Sequence, residues 1–161
     1  MDKQMTTTLT RGEALDTVNF AIEQFINDLH IKSGEIETIT YAVNNDLQIR
    51  DYFLGLPTDF DIATCIDFVG YLASRTNDSE SYAYHTILAM YYLEQDRPEL
   101  ATHMLQVSEF FNRDYNLTKL AKRVISAGWN GSELKDMREG LHSGVVNIIK
   151  NSADYKIGDE E

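Results

Sequence analysis

With 161 residues, 43% of them hydrophobic, the chain is long enough to bury a core of its own and short enough for a single domain. One cysteine, Cys65, excludes an intramolecular disulfide and any multi-cysteine metal site, and fits a reducing compartment. The net charge of −12 works against phosphate backbones and membrane surfaces; residues 1–96 hold 5 Lys and Arg against 16 Asp and Glu while residues 97–161 hold 9 against 10, so the acidity belongs to the first part and suits either solubility or a basic partner.

Residues 1–9 lack periodicity and read as a flexible leader. They contain no basic region followed by an apolar stretch, and no apolar run in the chain nears the ~20 residues of a membrane-crossing helix, so a soluble, cytoplasmic protein is expected. Asn77, Asn116 and Asn130 head Asn-x-Ser/Thr triplets, which in that setting are helix boundaries rather than glycosylation sites. A first helix starts at a capping box of Thr10 and Glu13, turns Leu15, Val18, Ile22, Phe25, Ile26 and Leu29 to one side, and closes at His30. Ser33 is expected to cap a short second helix carrying Ile36, Ile39 and Val43 inward, with Asn44-Asn45 as its stop. Asn45 and Gln48 would then box the start of a third over Leu47 to Leu54, ended by "GLP".

A fourth helix, capped by Thr58 or Asp59, carries Ile62, Ile66, Val69, Leu72 and Ala73, and stops at "RTNDS". Asp78 or Ser79 opens a fifth, running through Ala83, Ile87, Leu88 and Tyr91 to the "EQDRPE" turn. There Asp96 with Glu99 predicts a capping box, and Pro98 falls in a first turn that does not need its N–H. The sixth carries Leu100, Ala101, Met104, Leu105 and Val107. A seventh runs from Leu117 through Leu120, Ala121, Val124 and Ile125 to Gly128, a left-handed C′ residue. The last, capped at Ser132, keeps Leu134, Met137, Leu141, Val145 and Ile148 at helical spacing. Period-two alternation is absent throughout, so the chain reads as all-α, a single compact domain of about eight helices over residues 10–152, followed by a polar tail over 153–161 expected to be disordered.

Chemistry-bearing patterns are sparse. There is no Gly-rich phosphate loop, no Gly-x-Ser-x-Gly elbow and no His-Glu-x-x-His. Glu139 and His142 form one Glu-x-x-His, whereas di-iron bundles need two such pairs and two further glutamates, so both residues are assigned to an exposed polar face. Glu99 and His103 read as a surface pair one turn apart, His85 as a core or edge histidine, and Cys65 as an inert core thiol with nothing near it in sequence to lower its pKa. Arg113, Lys119, Lys122 and Arg123 form a basic set for which pairing with the acidic first part is expected over nucleic acid. Tyr82, Tyr84, Tyr91 and Tyr92, with Tyr71 on the preceding helix, surround the fifth helix more fully than one core face can hide. Hydroxyls reaching solvent from core rings are the simplest account; half-apolar rings at a protein interface are the alternative.

Two resemblances bear on this reading. Leu88-Ala89, Tyr92, Ala101, Leu105 and Ser108 are similar to the large, small and aromatic positions of one tetratricopeptide hairpin, in which Ala89 and Ala101 would let two antiparallel helices approach; His85 and Arg113 depart from that pattern. Over roughly Asp46 to Leu141, "DLQIRDYFLG", the stretch from Tyr84 to Trp129 and "ELKDMREGL" resemble the helical C-terminal region of the actinobacterial and actinophage family known as domain of unknown function 4192. Ile49-Arg50-Asp51, Asp114 to Leu117 and Ala127-Gly128 stand in its motif positions. The resemblance implies a helical fold and a phage-borne origin, and carries no activity or catalytic residue.

The expected function is therefore a small acidic protein–protein interaction module, not an enzyme, with no cofactor and no metal, binding an unidentified protein through Tyr82, Tyr84, Tyr91 and Tyr92. One alternative is an acidic nucleic-acid mimic that occupies a basic host protein; another is a metal-binding helical-bundle enzyme.

Overall fold

A computed structural model describes residues 8–158. Its helices are α1 (Arg11–Ile26), α2 (Ser33–Asn45), α3 (Leu47–Gly55), α4 (Ile62–Ser74), α5 (Tyr82–Glu94), α6 (Pro98–Phe111), α7 (Asn116–Ser126) and α8 (Gly131–Asn151), with short 3₁₀ turns at Leu56–Thr58 and Asp78–Glu80. Among the described residues the only β feature is an isolated bridge between Thr10 and Lys156. The protein is all-α. No helix among the described residues is long and apolar enough to cross a membrane. Most of the expected leader lies outside the described residues, as do the last three residues of the tail.

The chain groups into two compact units, one made of the residues up to Phe53 with those from Ser143 onward, the other of Leu54–His142. In the first, Ala14, Val18, Ala21 and Ile22 of α1, Ile36, Ile39 and Val43 of α2, and Ile49, Tyr52 and Phe53 of α3 are buried. Apolar residues at helical spacing leave water together, which is why these short helices hold. Residues 153–158 do not form the disordered tail that their polarity suggests. Arg11 N donates to Tyr155 O at 2.8 Å, Gly12 N to Ala153 O at 2.9 Å and Ile157 N to Leu9 O at 2.9 Å, and Ile157 is 1% exposed. Backbone pairing to Leu9, Arg11 and Gly12 and the burial of Ile157 hold this segment against the start of α1. Arg11 also binds Asp46 through two of its nitrogens, donates to Ser152 Oγ at 2.8 Å and lies 4.3 Å from the Tyr155 ring centroid.

In the second unit α5 is the central helix. Ala83, Tyr84, Ile87, Leu88, Ala89, Met90, Tyr91 and Leu93 are all buried, the all-round apolar pattern of a helix enclosed by neighbours, here α4, α6 and α7. Ala89, Ala101, Leu105, Ala121, Val124 and Leu134 share one cluster. Thr86 Oγ1 lies 2.8 Å from Ser108 Oγ and 2.9 Å from Thr118 Oγ1, so three small hydroxyls satisfy one another where α5, α6 and α7 meet.

Several helix boundaries differ from the sequence reading. Helix α1 ends four residues before His30: Asp28 adopts φ 59°, and Leu29 N and Asp28 N donate to Gln24 O and Phe25 O in a Schellman turn. Ser33 is the first residue of α2 rather than its cap. Asp46, not Asn45, caps α3 by accepting from Ile49 N at 3.1 Å, and Asp61, not Thr58 or Asp59, caps α4. Helix α5 begins at Tyr82, after the 3₁₀ turn that Asp78 and Ser79 enter. The expected box of Asp96 and Glu99 is not made, because Asp96, at φ 57°, ends α5 and offers Oδ1 to Gly131 N at 2.7 Å. At α8, Asn130 and Glu133 form the capping box two residues before Ser132.

Candidate interaction surface

The start of α8 is tied to the end of α5. Asp96 caps Gly131 N, and Gly131 lies so close to Glu94 O that any Cβ there would collide with it. Fixing Gly131 inward fixes the rotation of the helix. Leu134, Arg138 and His142 follow at three, seven and eleven residues, the same face, and all three are buried.

This phase puts polar groups where the sequence pattern placed apolar ones. Arg138 Nε and Nη2 donate to the two Glu94 carboxylate oxygens at 2.8 and 2.9 Å, and Nη1 donates to Thr58 Oγ1 at 2.7 Å; the two charged side chains are 8% and 9% exposed. Burial alone would lower the guanidinium pKa, but its hydrogen bonds and charge pairing with Glu94 outweigh that and raise it. His142 Nε2 lies 3.0 Å from Asp59 Oδ2, and the imidazole packs where a side chain at Gly55 would run into Nδ1. His142 is thus buried, not part of an exposed polar face; only Glu139 of that pair is exposed.

The expected inward residues Met137 and Leu141 are correspondingly 37% and 60% exposed, and Ile148, farther along α8, is 47% exposed. Gly140, beside Leu141, has open space where a Cβ would stand. Glu133, one turn before Met137, is exposed beside this face, and Asp136 is exposed next to it in sequence.

The tyrosine expectation needs correction. Tyr84 and Tyr91 are 0% exposed and cannot touch a partner, because α5 is enclosed on several sides. Burial pushes the Tyr91 phenol well above its ordinary pKa, with Cys65 and Glu94 acting in the same direction. Tyr82 and Tyr92 are half-buried and occupied within the fold, Tyr82 edge-to-face with Tyr115 at 5.0 Å and Tyr92 under Arg97 at 5.5 Å. His85 is an edge histidine whose Nδ1 lies 2.9 Å from Ser81 O. Cys65 is buried, and desolvation, followed by Asp61, pushes its thiol up to about 12. Among the described residues no group of three or more His, Cys, Asp or Glu side chains is arranged to hold a metal ion. Of the basic set, Lys122 pairs with Glu109 of α6, outside the acidic first part of the chain.

Sequence reasoning missed this surface because Met137 and Leu141 keep core spacing. The usable signals were Asn130 with Glu133, which start α8 at Gly131, and the cation Arg138 seven residues beyond it. No protein-family model, curated protein or solved structure matches the chain.

Proposed function

We propose that the protein is an interaction module whose docking face is the exposed side of α8 at Met137 and Leu141, and that its partner presents an apolar helical segment flanked by Lys or Arg. One observation carries the reading: α8 turns Arg138 and His142 inward, Arg138 onto the buried carboxylate of Glu94 and His142 beside Asp59, and leaves Met137 and Leu141 exposed. That arrangement spends desolvation energy and forgoes apolar burial, which fits a face reserved for another molecule. Glu133 and Asp136 at its edge, in a chain at −12, supply the complement for a basic flank and would speed encounter.

The test is affinity capture, identification of the partner and titration of the two purified proteins. Leu141→Asp and Met137→Asp should each weaken binding by about tenfold or more, with the far-UV circular dichroism unchanged. Binding that ignores both substitutions and falls steeply with salt would favour the nucleic-acid mimic instead.

A further inference from the structure

A second pair of surfaces, apart from α8, carries complementary features. The stretch 115–132 contains no Asp or Glu, and the outward side of α7 presents Lys119 and Arg123 beside Leu120, which is 41% exposed, with Lys122 farther round the helix. On α1 the outward side presents Glu13, Asp16 and Glu23 around Phe20, which is 56% exposed. Among the described residues Lys119, Arg123, Asp16 and Glu23 have no ion-pair partner, whereas Lys122 already holds the carboxylate of Glu109. Each helix thus shows an apolar side chain bracketed by charges, and the charges are opposite.

We propose that α7 of one molecule docks on α1 of a second copy, Leu120 against Phe20, with Lys119 and Arg123 meeting Asp16 and Glu23. Along the axis Asp16 and Glu23 are about 10 Å apart and Lys119 and Arg123 about 6 Å, a difference that the long basic side chains span. The two patches differ, so the contact is head-to-tail and leaves an unused α1 at one end and an unused α7 at the other; association continues until a ring closes. Repulsion between copies at −12 does not forbid this, because at about 0.1 M salt charges beyond roughly 10 Å are screened while pairs in contact are not. A second copy suits α7 better than nucleic acid does, since the carboxylates elsewhere on the chain oppose a polyanion of high charge density.

Sedimentation velocity over rising protein concentration decides it. The weight-average mass should climb above 18.4 kDa at about 0.1 M NaCl, and association should weaken about tenfold at about 1 M. Lys119→Glu with Arg123→Glu should leave a monomer, as should Asp16→Lys with Glu23→Lys, and an equimolar mixture of the two variants should associate again, a recovery that misfolding could not produce. Leu141→Asp should leave the self-association untouched, which separates this contact from the α8 face. A single monomer mass at every concentration, or association indifferent to the charge reversals, overturns the proposal. So does a fluorescein-labelled DNA duplex that binds the monomeric wild type and not the α7 variant, which would give α7 to nucleic acid.

Discussion

A guanidinium taken out of water costs several kcal/mol unless a carboxylate meets it, and Arg138 meets Glu94 with two hydrogen bonds while Thr58 takes a third. Removing one partner is then far worse than removing both. Arg138→Ala should destabilise by about 3–5 kcal/mol in urea denaturation, and Arg138→Met with Glu94→Leu should recover most of that loss. A cost for Arg138→Ala near that of a surface substitution would mean that Glu94 is not held buried. Cys65 gives a prediction in pH. Its thiol is raised from an ordinary 9.0 to about 12 in the fold, so the neutral form is favoured by folding. Below about pH 9 the thiol is neutral in both states and the contribution is complete; as pH rises from 9 towards 12 the unfolded chain loses the proton first, and stability falls. Cys65→Ala should therefore flatten the decline of the urea midpoint across that alkaline window, while the lost packing of the buried sulfur lowers the midpoint at neutral pH. Parallel declines in the two proteins would show that Cys65 is not the group responsible.

Three helices end the same way: Asp28, Asp96 and Gly128 take left-handed backbone at φ 59°, 57° and 74° after α1, α5 and α7. Only glycine does so without cost, and the strain on another residue is about 1 kcal/mol. Asp28→Gly should therefore stabilise the protein, by roughly 0.5–1 kcal/mol. Asp96→Gly relieves the same strain but deletes the cap on Gly131, so it should be neutral or destabilising. Equal gains at both positions would show that the Asp96 carboxylate does not matter to α8. These ends also mark how far the sequence could be read. Gly128 was legible because glycine at a helix end has one main reason to be there, and the box of Thr10 and Glu13 was legible because both halves are local. Asp28 and Asp96 were not, since aspartate fits a cap at least as well as a left-handed end. The phase of α8 was hidden for a different reason. Its apolar spacing is self-consistent, and what overrides it is a contact of Gly131 with Glu94, thirty-seven residues earlier, that no local pattern encodes.

On the scale of the whole chain, the helices and their turns are local and were readable, while two non-local arrangements were not. One is the enclosure of α5, which removes Tyr84 and Tyr91 from the surface. The other is the unit built from both ends of the described chain, where Thr10 pairs with Lys156 and Leu9 O accepts from Ile157 N. Closing so long a loop is less costly than it looks, because the entropy grows only with the logarithm of length, about 0.6 kcal/mol per doubling. A single buried apolar side chain, at about 1.5–3 kcal/mol, can therefore hold the closure once α1 and α8 are formed. "KIGDEE" gave no hint of this, since one isoleucine among polar neighbours has no periodicity to detect. If Ile157 is that side chain, Ile157→Ala should cost about 2–4 kcal/mol, more than expected for a residue in a polar tail. Deleting residues 156–161 should cost at least as much, because the bridge to Thr10 goes with it. Circular dichroism in urea measures both, and Trp129, the chain's one tryptophan, reports separately on the unit of Leu54–His142. Wild-type midpoints in both variants would return residues 153–158 to the status that their composition suggests; a loss confined to Lys156→Ala would credit the basic side chain rather than the burial of Ile157.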